Sequence, residues 1–199
     1  MIAIIDYQAG NLQSVQKALA YLGAEHRTLD RPDGLDDCDR ILMPGVGAFG
    51  AAMNYLNRSG LTAAIREWLK ADRPFLGICL GMQMLFEKSE EDPDARGLGF
   101  FSGPCRRFRS GKVPQIGWND VRPVRSSALL NGIPGKPFYY FLHSFYAVPD
   151  DRSIVSGITD YGIEFPSVIE RGRAIGVQFH PEKSGNQGIA LLRKWIEGA

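Results

Sequence analysis

The run Ile2-Ala3-Ile4-Ile5 contains no polar residue, and this constrains the fold more than any other feature of the chain. A strand with one wet face alternates polar and apolar residues. A continuous, β-branched run is instead buried on both faces, as in a parallel sheet covered by helices. The next segments keep to that plan. After a turn at Gly10 and Asn11, the residues Leu12, Val15, Leu19 and Leu22 fall on one helical face, and Gly23 ends the helix. Short strands fit 26–29 and 40–43, the latter stopped by Pro44-Gly45. Helical patterns fit 48–56 and 61–70, and residues 74–78 read as another buried strand entering a helix over 82–88. Strands alternating with helices imply a mostly parallel sheet with right-handed crossovers.

Beyond about residue 99 the pattern changes. Aromatic, alternating stretches at 137–146, 153–159 and 164–170 are broken by Gly and Pro and read as antiparallel strands. A helix over 187–197, with Ile189, Leu192, Trp195 and Ile196 on one side, closes the chain. Neither a repeat nor a long linker divides it, so residues 1–199 are expected to form one α/β domain: a central, mostly parallel sheet flanked by helices, with added antiparallel strands in the second half.

Composition excludes several classes of function. A formal charge of +1 gives no electrostatic reason to expect nucleic acid or a membrane surface as partner. No apolar run approaches the roughly 18 residues of a membrane span, and the segment after Met1 reads as a strand rather than a signal peptide. Cys38, Cys79 and Cys105 are odd in number and widely spaced, which argues for a reducing, cytoplasmic setting without disulfides or a metal site.

The chemistry concentrates at Gly77-Ile78-Cys79-Leu80-Gly81, between a strand and a helix. This is a nucleophile-elbow arrangement with sulfur as nucleophile, small residues leaving room for the strained turn. A helix N-terminus beneath the sulfur would favour the thiolate. Buried structural cysteines also sit beside glycines, so the motif needs a base. Of the three histidines, His26 reads as a surface or packing residue, and His143 as a core or pocket-lining one. His180 follows Gly176-Val177-Gln178-Phe179 and precedes Pro181-Glu182, which places it at a strand end. Glu182, two residues on, projects to the same side in extended chain and orients the ring. An oxyanion hole would take the Leu80 N–H and a second donor from Gly45-Val46-Gly47 after the third strand. That loop is alternatively a phosphate cradle, but neither Gly-x-Gly-x-x-Gly nor a Walker pattern is completed.

Gly-Ile-Cys-Leu-Gly-Met-Gln at 77–83 and Gln-Phe-His-Pro-Glu at 178–182 resemble the class I, or triad, glutamine amidotransferases, whose fold is flavodoxin-like. Further segments resemble the glutaminase subunits of imidazole glycerol phosphate synthases: Asp6-Tyr7 with Gly10-Asn11-Leu12, Pro44 to Phe49, Lys112-Val113-Pro114 with Gly117-Trp118-Asn119, and Tyr140-Phe141 with His143-Ser144. Two departures are Gln8-Ala9, and Gln115 where a histidine is common.

The resemblance implies a cofactor-free enzyme of histidine biosynthesis that hydrolyses L-glutamine through Cys79, His180 and Glu182, by way of a thioester. It implies a heterodimer with a (β/α)8-barrel synthase subunit, to which ammonia is delivered and which activates the glutaminase allosterically. Gln83 and the backbone of Ser144 and Phe145 would hold the substrate's carboxylate end, and Glu91 its α-ammonium, unless Glu91 belongs to a solvated acidic run. Asn11 and Lys183 would face the synthase. The competing readings are a stand-alone cysteine hydrolase of the γ-glutamyl hydrolase kind, the amidotransferase subunit of another pathway, and a regulatory module without turnover.

Overall fold

The computed structural model describes residues 1–8, 10, 12–133 and 137–198. Its first half alternates as the apolar runs require: β1 (Ile2–Ile5), α1 (Leu12–Tyr21), β2 (His26–Leu29), β3 (Arg40–Met43), α2 (Phe49–Ser59), α3 (Leu61–Lys70), β4 (Phe75–Ile78) and α4 (Leu80–Gln83). Then come β5 (Phe86–Ser89), β6 (Asp92–Arg96), β7 (Phe101–Arg107), β8 (Gln115–Asp120), β9 (Arg122–Pro123), β10 (Phe138–His143), β11 (Phe145–Ala147), β12 (Val155–Asp160), β13 (Glu164–Arg171), β14 (Ala174–Val177) and α5 (Gly185–Glu197).

The main sheet runs β2-β1-β3-β4-β14-β13-β12-β9. From β2 to β14 the neighbours are parallel, and from β14 onward they are antiparallel. The change of character read near the middle of the sequence is therefore a change of strand direction within one sheet. Ile2 and Ile4 point into the layer holding Val15 and Leu19 of α1 and Leu192 and Trp195 of α5. Ala3 and Ile5 point into the opposite layer, against Phe49 and Leu56 of α2 and Ile65 and Trp68 of α3. Each fully buried large side chain is worth about 1.5–3 kcal/mol relative to exposure, so two such layers account for a strand with no polar position.

Two expectations need correction. The helix over 82–88 is a single turn, Leu80–Gln83, and Phe86–Ser89 is a strand. The backbone of β5 is claimed by β7 on one side and β6 on the other, and this pairing overrides the local helical pattern. The stretch 137–146 is two strands in different sheets. It breaks at Ser144, whose carbonyl accepts from Phe108 N at 3.1 Å.

Candidate active site

The elbow forms where β4 ends. Cys79 N donates to Val177 O of the neighbouring β14 at 2.7 Å, and Cys79 has φ 52° and ψ −104°. Few non-glycine residues adopt such a backbone, and strain of this kind gathers at functional sites. The flanking glycines are needed for space. A Cβ on Gly77 would stand 2.6 Å from the Gly81 carbonyl oxygen, and one on Gly81 would overlap the Met43 carbonyl. The one-turn α4 is too short to supply a substantial macrodipole, so the helix-terminus argument for the thiolate falls.

The charge that favours a thiolate comes from His180. Its side chain is 1% exposed, and its Nδ1 lies 2.9 Å from Glu182 Oε1. Burial alone would push this imidazole down. The neighbouring Cys79 and Glu182 outweigh burial and raise it to about 10, so the ring is a cation set beside the sulfur. The buried Nε2 makes no closer hydrogen bond among the described residues than its approach to Cys79. His180 is held in place by β10: His180 N donates to Tyr140 O at 2.8 Å, Ser184 Oγ links the His180 carbonyl to Tyr140 N, and Phe179 stacks on Tyr139 at 4.1 Å.

A cavity of about 240 Å³ opens in front of the sulfur. Val46, Gly47, Leu80, Gln83, Glu91, Ser144 and Phe145, all picked out from the sequence, line it with Cys79. Pro114, Leu142 and His143 complete the lining. Gly45 lies just behind, its carbonyl accepting from Leu80 N at 3.4 Å, and a Cβ there would overlap the Tyr7 hydroxyl, which donates to Pro44 O.

The polar groups of the cavity differ in what they have left to offer. Gln83 Nε2 already donates to Phe145 O at 3.0 Å and to Gln178 Oε1 at 3.2 Å. Only its Oε1 remains, an acceptor suited to an ammonium rather than to the carboxylate expected from the sequence. Glu91 Oε2 accepts from Phe49 N at the start of α2, at 2.8 Å. His143 bridges Phe145 O at 2.7 Å and the Gln115 side chain at 2.9 Å, and burial pushes it down to about 4, so it stays neutral. Gln115 thus fills its departure from the common histidine as a neutral partner for His143.

The remaining expected residues lie apart from this cluster or outside it. Lys183 sits in the 3-10 turn Pro181–Lys183, and its ammonium makes no hydrogen bond or ion pair among the described residues. Asn11 and Ala9 lie outside the described residues. His26 is used locally, with Nδ1 2.8 Å from Ala24 O. Cys38 and Cys105 are buried, and burial raises the Cys105 thiol. Among the described residues no group of three or more His, Cys, Asp or Glu side chains is placed to hold a metal ion. One contact escaped the sequence reading. Gln178 Nε2 lies 3.6 Å from Cys79 Sγ, and only the register of β14 on β4 reveals it.

The profile of the glutamine amidotransferase class-I family matches residues 3–197. An imidazole glycerol phosphate synthase subunit HisH from Moorella thermoacetica is 49% identical over 197 residues, which cover 98% of this chain and 94% of that protein. The protein of the same name from Bacillus cereus strain B4264 is 45% identical, with 98% and 93% covered. Among solved structures, a glutamine amidotransferase superposes with TM-score 0.79 at 18% identity over 99% of this chain and 98% of that one. The structure of PurLQS from Thermotoga maritima superposes with TM-score 0.78 at 20% identity, covering 98% and 97%. At those identities the structural likeness speaks to the fold alone.

Proposed function

The chain belongs to the class-I glutamine amidotransferases, and from that premise we propose that it is the glutaminase subunit of an imidazole glycerol phosphate synthase, acting in histidine biosynthesis. The observation that carries the assignment to Cys79 is a strained elbow cysteine that lines a cavity and stands close enough to the buried His180–Glu182 pair to raise its imidazole.

The reaction follows from what these groups can exchange. The Cys79 thiolate attacks the γ-carboxamide carbon of glutamine, and the carbonyl oxygen takes up the negative charge opposite the Leu80 N–H. His180, as imidazolium, gives its Nε2 proton to the departing nitrogen. Ammonia leaves and a γ-glutamyl thioester remains on Cys79. The neutral His180 then takes a proton from water, whose oxygen attacks the thioester. The thiolate leaves and the imidazolium is kept, and the new γ-carboxyl gives its proton to solvent as glutamate departs. Glu182 holds the ring and its charge throughout both half-reactions.

Ammonia released into neutral water is protonated and loses its nucleophilicity, so it needs a dry path to the synthase. The β8–β10 ribbon offers a docking face. Its inward side carries Tyr139, Phe141 and His143, and its outward side carries Ile116, Trp118, Phe138, Tyr140 and Leu142. Ile116, Trp118 and Phe138 are 56%, 49% and 41% exposed, and the last two stack at 5.7 Å. Exposed aromatic groups clustered this way are the habit of interfaces. The face runs up to the nucleophile, since Leu142 O lies 3.6 Å from Cys79 Sγ. A (β/α)8-barrel synthase seated here, with Lys183 at the rim, forms the heterodimer. A stand-alone hydrolase has no use for such a face.

The test is to assay the purified chain for ammonia release, alone and with the synthase subunit and its nucleotide substrate. Turnover that rises on addition of the loaded synthase, with glutamine supporting ring formation, is the expected result. Equal, full glutaminase activity without any partner would overturn the subunit reading.

A further inference from the structure

Gln178 belongs to none of the groups that exchange protons or charge in the reaction, yet its side chain touches the nucleophile. β14 runs parallel to β4 with Val177 opposite Ile78, so the next residues, Gln178 and Cys79, come side by side. Gln178 is 0% exposed, and a buried amide must place both its oxygen and its nitrogen.

The sense of the amide is fixed by a carbonyl two links away. Phe145 O can only accept, so Gln83 must turn Nε2 toward it, at 3.0 Å. The second hydrogen on that nitrogen faces Gln178 at 3.2 Å, so Gln178 must present Oε1 there. Its Nε2 is then left facing Cys79 Sγ, at 3.6 Å. Turning Gln178 over would set two N–H groups against each other. The relay from Phe145 through Gln83 and Gln178 to Cys79 therefore has one direction, and it delivers a donor to the sulfur.

A second contact of that sulfur, with a carbonyl, works the opposite way. Leu142 O, at 3.6 Å, accepts, and so favours the protonated thiol. Donation from Gln178 favours the anion, because a hydrogen bond to the charged form stabilises that form. A carbonyl on one side and an amide N–H on the other also fix the direction in which Sγ points.

We propose that Gln178 is a positioning residue of the glutaminase site: its Nε2–H donates to Cys79 Sγ, holding the sulfur ionised and aimed, with Gln83 and the Phe145 carbonyl locking the amide's orientation. This rests on Cys79 being the nucleophile. It adds a second source of thiolate stabilisation beside His180, one that begins at two residues lining the substrate cavity. An apolar residue at 178 would leave a Gln83 hydrogen unmet and leave the sulfur with the Leu142 acceptor and with His180 as its remaining source of stabilisation. A glutamate would keep the Gln83 bond but set a carboxylate beside the thiolate.

The experiment is the pH profile of iodoacetamide alkylation at Cys79, followed by mass spectrometry in the complex with the synthase. Gln178→Met should move the midpoint up by about one pH unit, meaning about tenfold slower alkylation below it, with the high-pH plateau unchanged. Gln178→Glu, of nearly the same shape, should move it up at least as far. A merely structural role would lower the melting temperature or the plateau and leave the midpoint in place. An unmoved midpoint in either folded variant overturns the proposal. In the unsubstituted protein, the Gln178 side-chain amide resonance should shift when Cys79 is alkylated, and a resonance that stays put overturns it too. Alkylation reads the sulfur whatever the substrate is, so a parent protein that releases no ammonia from glutamine would refute the glutaminase reading separately.

Discussion

The Leu80 N–H donates to the carbonyl oxygen of Gly45 at 3.4 Å, so the donor nearest the nucleophile is turned on the protein's own loop. In a trans peptide the C=O and the following N–H point in opposite directions, and the Val46 N–H therefore points away from Leu80. Turning over this one peptide would free Leu80 and bring Val46 N–H inward, completing a two-donor oxyanion hole. The bond to be broken is long and hence weak. Val46, Gly47 and Leu80 also border a second cavity of about 340 Å³, which leaves the loop space on both sides. The present arrangement is held by Tyr7 on Pro44 and by the pairing of Val46 with Gly10. Val46→Pro deletes the donor, so turnover stimulated by the loaded synthase should fall by about 10²–10³ while basal turnover changes little. Equal losses in both would show that the loop does no switching.

Cys79→Ala should abolish glutamine-dependent synthesis and leave synthesis from added ammonia intact. The other cysteines have no comparable setting: Cys105 is fully buried with its thiol raised, and Cys38 lies beside the Gly34 carbonyl and Arg27. Near-normal use of glutamine by the variant would remove Cys79 from the mechanism.

His180→Ala should lose about as much glutaminase activity as Cys79→Ala, because the nucleophile and its base act in the same step and the effects of such a unit do not add. Glu182→Gln keeps a group able to accept from Nδ1 at the 2.9 Å contact, so it should lose less. Steady-state rates of the two single variants and the double one decide this. A double variant far worse than either single one would contradict the shared step.

The fold was legible wherever the reading needed only local pattern. Ile2–Ile5, His26–Leu29 and Arg40–Met43 are strands within the bounds their apolar runs set; Val15 and Leu19 of α1 and Leu192 and Trp195 of α5 bury as read, while Leu191 joins the buried face of α5 and Ile189 and Ile196 stay at its edge. The elbow was legible because glycine on both sides of a cysteine at a strand end has a steric reason. What the local pattern could not carry was partner choice. Residues 86–89 look like the end of a helix until β7 is there to pair with them. The Gln178–Cys79 contact depends on the register of two strands 99 residues apart. The direction of the Gln83 amide depends on a carbonyl 62 residues away.

Stability should carry the mark of His143. Burial, with the positive His180 nearby, pushes its imidazole down to about 4, against about 6.5 in an unfolded chain. Between those values the unfolded state binds the proton and the folded state does not, so stability rises with pH across the window and is lost as pH falls through it. The upper bound is about 3.5 kcal/mol, at about 1.4 kcal/mol per unit. The hydrogen bond to the Phe145 carbonyl offsets this only in part, and Gln115 carries no charge. Denaturant melts of the parent and of His143→Asn from pH 4 to 7 should differ in slope, the variant being flatter. Parallel curves would mean that His143 titrates normally.

Trp118 tests where the synthase sits. It stands on the outward side of β8 opposite Tyr140 and stacked on Phe138, with about half its surface exposed, and it makes no contribution to the cavity around Cys79. Large aromatic side chains at the centre of an interface commonly cost 2 kcal/mol or more, roughly thirtyfold in affinity, when truncated. Trp118→Ala should therefore weaken binding of the synthase by at least about that factor. The basal glutaminase rate of the uncomplexed chain should stay near the parent's, because β10 keeps its inward anchors Tyr139 and Phe141 and so keeps His180 in place through Tyr140 O. Titration calorimetry with the synthase, run beside a basal ammonia-release assay, separates the two effects. A variant that binds as tightly as the parent would place the docking face elsewhere on the chain. One that binds well but loses basal turnover would make Trp118 a support of the site rather than a contact with the partner.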